Sequence, residues 1–208
     1  MIVNQPQIHI LPGLTSYAEA LASLDTVMQA VKEKTSPEAI MLLEHPPIYT
    51  GGTSAQDSDL LANTGIETVS TGRGGQWTYH GPGQRTGYVL LDLQHPHGTI
   101  PPRDIRAFVA GLEEWLILTL AHFGVAGERR EGRVGIWVED KATGQEAKIG
   151  AIGVRVTRWV SWHGVALNVA PDLGHFGGIV PCGIAEHGVT SLHALGIPAS
   201  MAEVDQAL

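Results

Sequence analysis

Apolar positions recur along this chain with two different periods, and the switches between them lay out its elements. Residues 8–11 are a short apolar run that predicts a first strand. Leu21, Leu24, Met28 and Val31 follow at helical spacing. They stand behind Ser16-Tyr17-Ala18-Glu19, whose hydroxyl and carboxylate can satisfy the first free N–H groups of a helix. The pattern predicts a helix over 16–34 with one buried stripe, broken at Pro37. Residues 40–43 read as a buried strand, which Glu44-His45-Pro46-Pro47 ends because proline has no ladder donor. Gly51-Gly52 and the polar stretch to Gly65 read as a loop, and residues 68–70 as another short strand.

The segment 72–87 keeps neither period for any length and reads as a glycine-rich loop between strands. Residues 88–93 restore an apolar strand. After Pro101-Pro102 comes a strong helix, its buried face marked by Ile105, Phe108, Val109, Leu112, Leu116 and Leu120, with Gly124 as the residue just past its end. Residues 134–138, 147–158 and 162–169 are β-type runs that pair as an antiparallel meander, the first two joined by a hairpin turn at 140–144. Thr190 and Ser200 each have the chemistry to cap a short helix, the second within the box Ser200-Met201-Ala202-Glu203. No repeat, linker or low-complexity stretch divides the chain. One α+β domain over residues 1–208 is the expectation, an α/β sandwich whose mixed, largely antiparallel sheet is flanked by helices.

Composition narrows the function. A formal charge of -8 with no lysine-rich tail speaks against nucleic acid as a partner. Arg129, Arg130 and Arg133, with Arg155 and Arg158, are either a local basic patch that steers an acidic partner or scattered solvated charges. One cysteine cannot form an internal disulfide, which fits a reducing compartment. The first residues lack a basic then apolar leader pattern, and no apolar run reaches the length of about 18 that a membrane span needs. A cytoplasmic, monomeric protein with no membrane partner is expected. The P-loop, G-x-G-x-x-G and H-E-x-x-H patterns are all absent, and His95 and His97 make at most a weak chelating pair. No metal and no other cofactor is expected.

Candidate chemistry gathers at three places. The loop 72–87 is either a ligand-approaching segment or a complicated turn. In the first case Arg73 and Gln76 offer donors, His80 exchanges a proton, and Trp77 and Tyr79 wall an apolar channel. Cys182 sits between Pro181 and Gly183, on a constrained turn; it is either a nucleophile or a small packed residue. A nucleophilic thiol needs a nearby base or cation, since a free thiol titrates at roughly 8.5. Lys148 is the candidate. It opens a largely apolar strand, where it either snorkels to water or is buried, and burial would lower its pKa enough to accept the thiol proton.

The ordered set of segments is more specific than any one of them. Glu44-His45-Pro46-Pro47-Ile48-Tyr49-Thr50, then Arg73-Gly74-Gly75-Gln76-Trp77-Thr78-Tyr79-His80-Gly81-Pro82-Gly83-Gln84, then Lys148-Ile149-Gly150, His163-Gly164-Val165-Ala166-Leu167-Asn168-Val169 and Pro181-Cys182-Gly183 closely resemble lipoyl(octanoyl) transferases, over residues 8–195. The resemblance implies the fold of biotin and lipoate ligase catalytic domains, and an acyltransferase that needs no cofactor. Such enzymes take an octanoyl or lipoyl group from the thioester of acyl carrier protein onto a cysteine. They pass it to a lysine on lipoyl domains of 2-oxoacid dehydrogenase E2 subunits or on the glycine cleavage H protein, the first committed step of protein lipoylation. By motif position the cysteine is Cys182 and the activating lysine Lys148. Substrate contacts would fall on Arg73, Gly74, Gly75, Gln76, Trp77, Thr78, Tyr79 and His80, on Ala151, Ile152 and Gly153, and on Gly164, Val165 and Ala166, with Gly150, Gly153 and Gly164 leaving room for the acyl chain. Val180 departs from the pattern, since several family members carry Asn there. An ATP-dependent lipoate ligase of the same fold, a non-catalytic module that binds acylated domains, and a thioester hydrolase are the competing readings.

Overall fold

The computed structural model describes residues 5–61, 65–139, 144–180 and 188–208. Strand β1 (Gln7–Leu14) and helix α1 (Tyr17–Lys32) lead into β2 (Ala39–Glu44), and β1 and β2 pair in parallel. Then come β3 (Ile48–Gly51), β4 (Glu67–Ser70), β5 (Trp77–His80), β6 (Gln84–Leu90) and helix α2 (Ile105–His122). The second half supplies β7 (Glu128–Arg130), β8 (Arg133–Glu139), β9 (Glu146–Thr157), β10 (Val160–Asn168), β11 (Gly188–Val189) and helix α3 (Met201–Ala207). The large sheet runs in the order β1-β2-β6-β10-β9-β8-β7, with β11 parallel to β9; β4-β3-β5 is a separate small sheet. All pairings of the large sheet except β1–β2 and β9–β11 are antiparallel.

Helix α1 begins where the capping box predicts. Glu19 N donates to Ser16 Oγ at 3.2 Å and Ser16 N to Glu19 Oε2 at 3.1 Å. Its stripe is Tyr17, Ala20, Leu24, Met28 and Val31, with Leu21 half-buried beside it. Helix α2 ends with Gly124 at φ +74°, the left-handed residue expected past its C-terminus. Ile105, predicted on its buried face, is 42% exposed in the first turn. Ser200 caps α3 as predicted, but Thr190 caps no helix: its N–H bonds the Lys148 carbonyl at 2.9 Å, and residues 192–196 only turn. The hairpin turn expected at 140–144 falls mostly outside the described residues.

Strand neighbours alternate between the two faces of the large sheet. Val89, Leu91, Val165, Leu167, Ile136 and Ile149 pack under α2 and α3. Met41, Leu43, Tyr88, Leu90 and Val160 pack under α1. Helices on both faces make this the expected sandwich with a mixed sheet. A third cluster, Tyr49, Trp77, Tyr79, Phe176 and Ile179, is the core of the small sheet. Strand β5 and the start of β6 correct the loop reading of 72–87, and β3 adds a strand just before Gly52 that the pattern does not predict. All four residues of β3 and all seven of β6 are buried, so neither shows the alternation that marks a half-exposed strand.

Candidate active site

Strands β9 and β10 bring two predicted segments into direct register. Ala151 faces Ala166, Ile152 faces Val165, and Gly153 faces Gly164 across the ladder. The glycine-rich segment is pinned over them, since Gly74 N donates to the Val154 carbonyl at 2.9 Å. Between the two lies a cavity of about 230 Å³. Arg73, Gly75, Gln76, Trp77, Thr78 and His80 form one wall; Lys148, Ala151, Ile152, Gly153, Gly164, Val165 and Ala166 form the other. Gly74 and Tyr79 alone of the described candidates do not line it. Tyr79 turns into the small-sheet core, packed against Phe176. The pattern reading missed Tyr17, Thr86, Tyr88 and His163, which also line the cavity.

Lys148 is only 7% exposed, so the buried alternative holds. Its Nζ donates to the Val134 carbonyl at 2.9 Å and lies 5.7 Å from the centre of the Trp137 ring. Cys182 lies outside the described residues. The chain enters that segment from Val180, whose N–H bonds the Asp59 carbonyl at 2.8 Å, and leaves it at Gly188, paired with Ala147. The next pair is Val189 with Lys148 itself.

A polar chain runs from the other wall toward the same place. Gln84 Nε2 donates to the Tyr79 carbonyl at 3.1 Å and to Asn168 Oδ1 at 2.9 Å, which occupies both amide hydrogens. Gln84 Oε1 therefore accepts, and His80 donates to it from Nδ1 at 2.6 Å. The tautomer, assigned from this network, leaves His80 Nε2 as the lone-pair nitrogen. Asn168 Nδ2 continues to the Thr190 carbonyl at 2.9 Å. Burial, with the charges of His45 and Arg73 behind it, pushes His80 down to about 3, so its ring is neutral.

The imidazoles and the phenol of the floor are likewise neutral. Burial, helped by Arg73 and Arg155, pushes His163 down to about 4. Burial also lowers His45, whose Nδ1 donates to the Thr15 carbonyl and whose Nε2 accepts from the Tyr88 hydroxyl, each at 2.7 Å. Burial raises Tyr88 well above its ordinary value, which keeps that hydroxyl a donor. His163 stacks on Trp162 with ring centres 5.1 Å apart and holds φ at +63°. Arg73 braces the loop, donating to the Gly74 and Gln76 carbonyls and to Thr50 Oγ1 at 2.9–3.0 Å. Gln76 Oε1 and Thr86 Oγ1 are buried on the cavity without a hydrogen-bond partner among the described residues, so a polar ligand has two groups to satisfy.

One expectation needs correction, and one of the two open readings of the arginines falls away. The glycines do not leave room for an acyl chain. A Cβ on Gly150 would meet Leu116 Cδ1 at 3.0 Å, one on Gly153 would meet Arg73 Cδ at 3.0 Å, and one on Gly164 would meet the Gly87 carbonyl at 2.3 Å. They let walls approach. The arginine cluster is also not a bare cationic patch: Arg129 pairs with Glu113 and Glu114, Arg130 with Glu128 and Glu146, and Arg133 with Glu146. Away from the cavity, His97 meets Glu38 at 2.9 Å, and no group of three metal-ligating side chains occurs among the described residues.

Comparison with known proteins gives a consistent result. Residues 16–208 match the family described as the lipoyl protein ligase A/B catalytic domain. The chain is 64% identical over 197 residues to an octanoyltransferase of Acidiphilium cryptum, covering 95% of this chain and 86% of that protein. It is 60% identical over 197 residues to an octanoyltransferase of Gluconacetobacter diazotrophicus, covering 95% and 85%. Its fold is similar to the bi-partite lipoate protein ligase of Thermoplasma acidophilum, with a TM-score of 0.68 at 16% identity over 98% of this chain and 81% of that one.

Proposed function

The chain belongs to the lipoyl protein ligase A/B catalytic-domain family, and we propose that it is an octanoyltransferase of protein lipoylation working through an acyl-thioester on Cys182. The donor in this reading is octanoyl-acyl carrier protein. The acceptors are lysines of lipoyl domains, those of 2-oxoacid dehydrogenase E2 subunits and of the glycine cleavage H protein. One observation carries the catalytic assignment: Lys148 is buried in the cavity wall, and the strand paired to it, β11, is the one that leads out of the Cys182 segment.

The chemistry divides into two steps. In the first, Lys148 takes the Cys182 proton and the thiolate attacks the donor's thioester carbonyl. A carbon–sulfur bond forms to Cys182, the donor's breaks, and the departing thiolate collects the proton that Lys148 holds. In the second, the acceptor's neutral amine attacks the acyl-Cys182 carbonyl. A carbon–nitrogen bond forms, Cys182 leaves as a thiolate, and the amine's surplus proton returns through Lys148. The neutral His80, with Nε2 free of a proton, offers an acceptor in the same cavity without adding charge to it. Gln76 Oε1 and Thr86 Oγ1 suit the amides and carbonyls of a thioester-linked arm.

Intact-mass measurement tests this. Incubated with octanoyl-acyl carrier protein and no ATP, the protein gains one octanoyl mass, and Cys182→Ser does not. An adduct that forms only with octanoate and ATP replaces this reading with the ligase. Tight binding of the carrier with neither adduct nor transfer replaces it with a binding module.

A further inference from the structure

Lys148 stands on a strand whose side-chain alternation is broken. Glu139 with Glu146, Val138 with Ala147 and Trp137 with Lys148 keep one register between β8 and β9, but the next pair is Ile136 with Gly150. Ile149 is the extra residue, and β9 bulges beside Lys148. An unbroken strand would send Lys148 to one face and Ala151 and Gly153 to the other. With the bulge, Ile149 joins the core under α2 and the Cβ direction of Gly150 points at Leu116 in the same core. Lys148, Ala151 and Gly153 then share the cavity face.

Gly135, on the neighbouring strand β8, completes the seat. Its φ of +124° belongs to a region that residues with a Cβ rarely enter. A Cβ built on it would lie 2.4 Å from Lys148 Cε, 2.9 Å from Nζ and 2.7 Å from the Gly150 carbonyl oxygen. The same rotation sets the plane of the peptide between Val134 and Gly135, and it is the Val134 carbonyl that accepts from Nζ at 2.9 Å. We infer that Gly135 is a positioning residue for Lys148: its missing side chain is the space that the lysine's ε-carbon fills, and its backbone aims the carbonyl that holds the amine. The inference rests on the reading of Lys148 as the group that activates Cys182.

The test is a cycle of Gly135→Ala, Lys148→Ala and the double variant, with two readouts. The first is the pH profile of Cys182 alkylation by iodoacetamide. Lys148→Ala should move it to higher pH and slow alkylation at neutral pH by about tenfold or more, the weight of one pKa unit. Gly135→Ala should do the same, because the flexible end of Lys148 gives way first, and the double variant should be no slower than Lys148→Ala alone. The second readout is the thermal midpoint: Gly135→Ala should lower it, and adding Lys148→Ala should restore part of the loss. A folded Gly135→Ala protein with the parent profile, beside a shifted Lys148→Ala, overturns the inference. If Gly135→Ala does not fold, a folded double variant upholds it, and a double variant that also fails assigns Gly135 to backbone conformation alone and overturns it. A parent-like profile for Lys148→Ala removes the activation role instead, and the midpoint cycle then decides whether Gly135 acts through Lys148.

Discussion

The two faces of the large sheet are made by the same strands and are built on different terms. On β6, Val89 lies among apolar side chains under α2, while Tyr88, one residue earlier, hydrogen-bonds His45 and lines the cavity. On β9, Ile149 belongs to the α2 core and its neighbour Lys148 to the cavity. The face under α2 and α3 holds together by apolar burial, which is non-directional and tolerates no polar atom without a partner. The cavity face buries Arg73, His80, His163, Thr86 and Lys148, and order there comes from named hydrogen bonds. The α2 face should therefore carry stability alone, while the opposite face divides between the apolar cluster under α1 and the polar cavity beside it.

The sharpest way to separate them is Lys148→Ala. Losing the proton acceptor of the proposed reaction should cost about 10²–10⁴-fold in octanoyl transfer, with the urea midpoint near the parent's. A loss of transfer that merely follows unfolding would erase the distinction. Leu116→Ala probes the opposite face. Leu116, on the inner face of α2, is wholly buried, so the cavity left behind should cost about 2–5 kcal/mol of stability. Transfer per folded molecule should stay at the parent level in a discontinuous assay, and a tenfold drop there would mean that the faces are not independent.

Acid should act on the cavity face first. His80 and His163 are pushed down to about 3 and about 4, below the value near 6.5 that each regains on unfolding. The unfolded chain then binds more protons as pH falls, so their contribution is whole above about pH 6.5 and drains away toward pH 4. Each should cost about 1.4 kcal/mol per pH unit in that window. Denaturation midpoints from pH 7 to pH 5 should show it, and His163→Asn, which tolerates the positive φ, should flatten the slope by one histidine's share. A slope unchanged by that variant would show that His163 binds its proton alike in the folded and the unfolded chain. The smallest effect belongs to polar groups left in water. Arg129, 43% exposed beside Glu113 and Glu114, should cost under about 1 kcal/mol as Arg129→Ala.

The parts of the fold that could be read from the sequence are those with a long, one-sided pattern. Helices α1 and α2 and strands β9 and β10 declare themselves because each runs for many residues with a buried stripe or a sustained apolar run. Strands β3 and β5 did not, being four residues each and hemmed in by glycine and proline. At the site, the segments from Arg73 to His80, Ala151 to Gly153 and Gly164 to Ala166 were named by family resemblance, and the structure brings most of them to one cavity. Thr86, Tyr88 and His163 stayed hidden because they interrupt apolar strands and look like ordinary sheet residues until register gives them a shared face. Gly135 was invisible for a stronger reason. No local pattern reveals a bulge on one strand or the glycine on the next that accommodates it.

His163 leaves one more mark. A left-handed backbone at an imidazole-bearing residue costs on the order of 1–3 kcal/mol. Mutation alone would carry such a position toward glycine or asparagine, which hold that conformation more cheaply. With a histidine there instead, the ring's contacts, its stacking on Trp162 and its place in the cavity lining, have that backbone cost to offset.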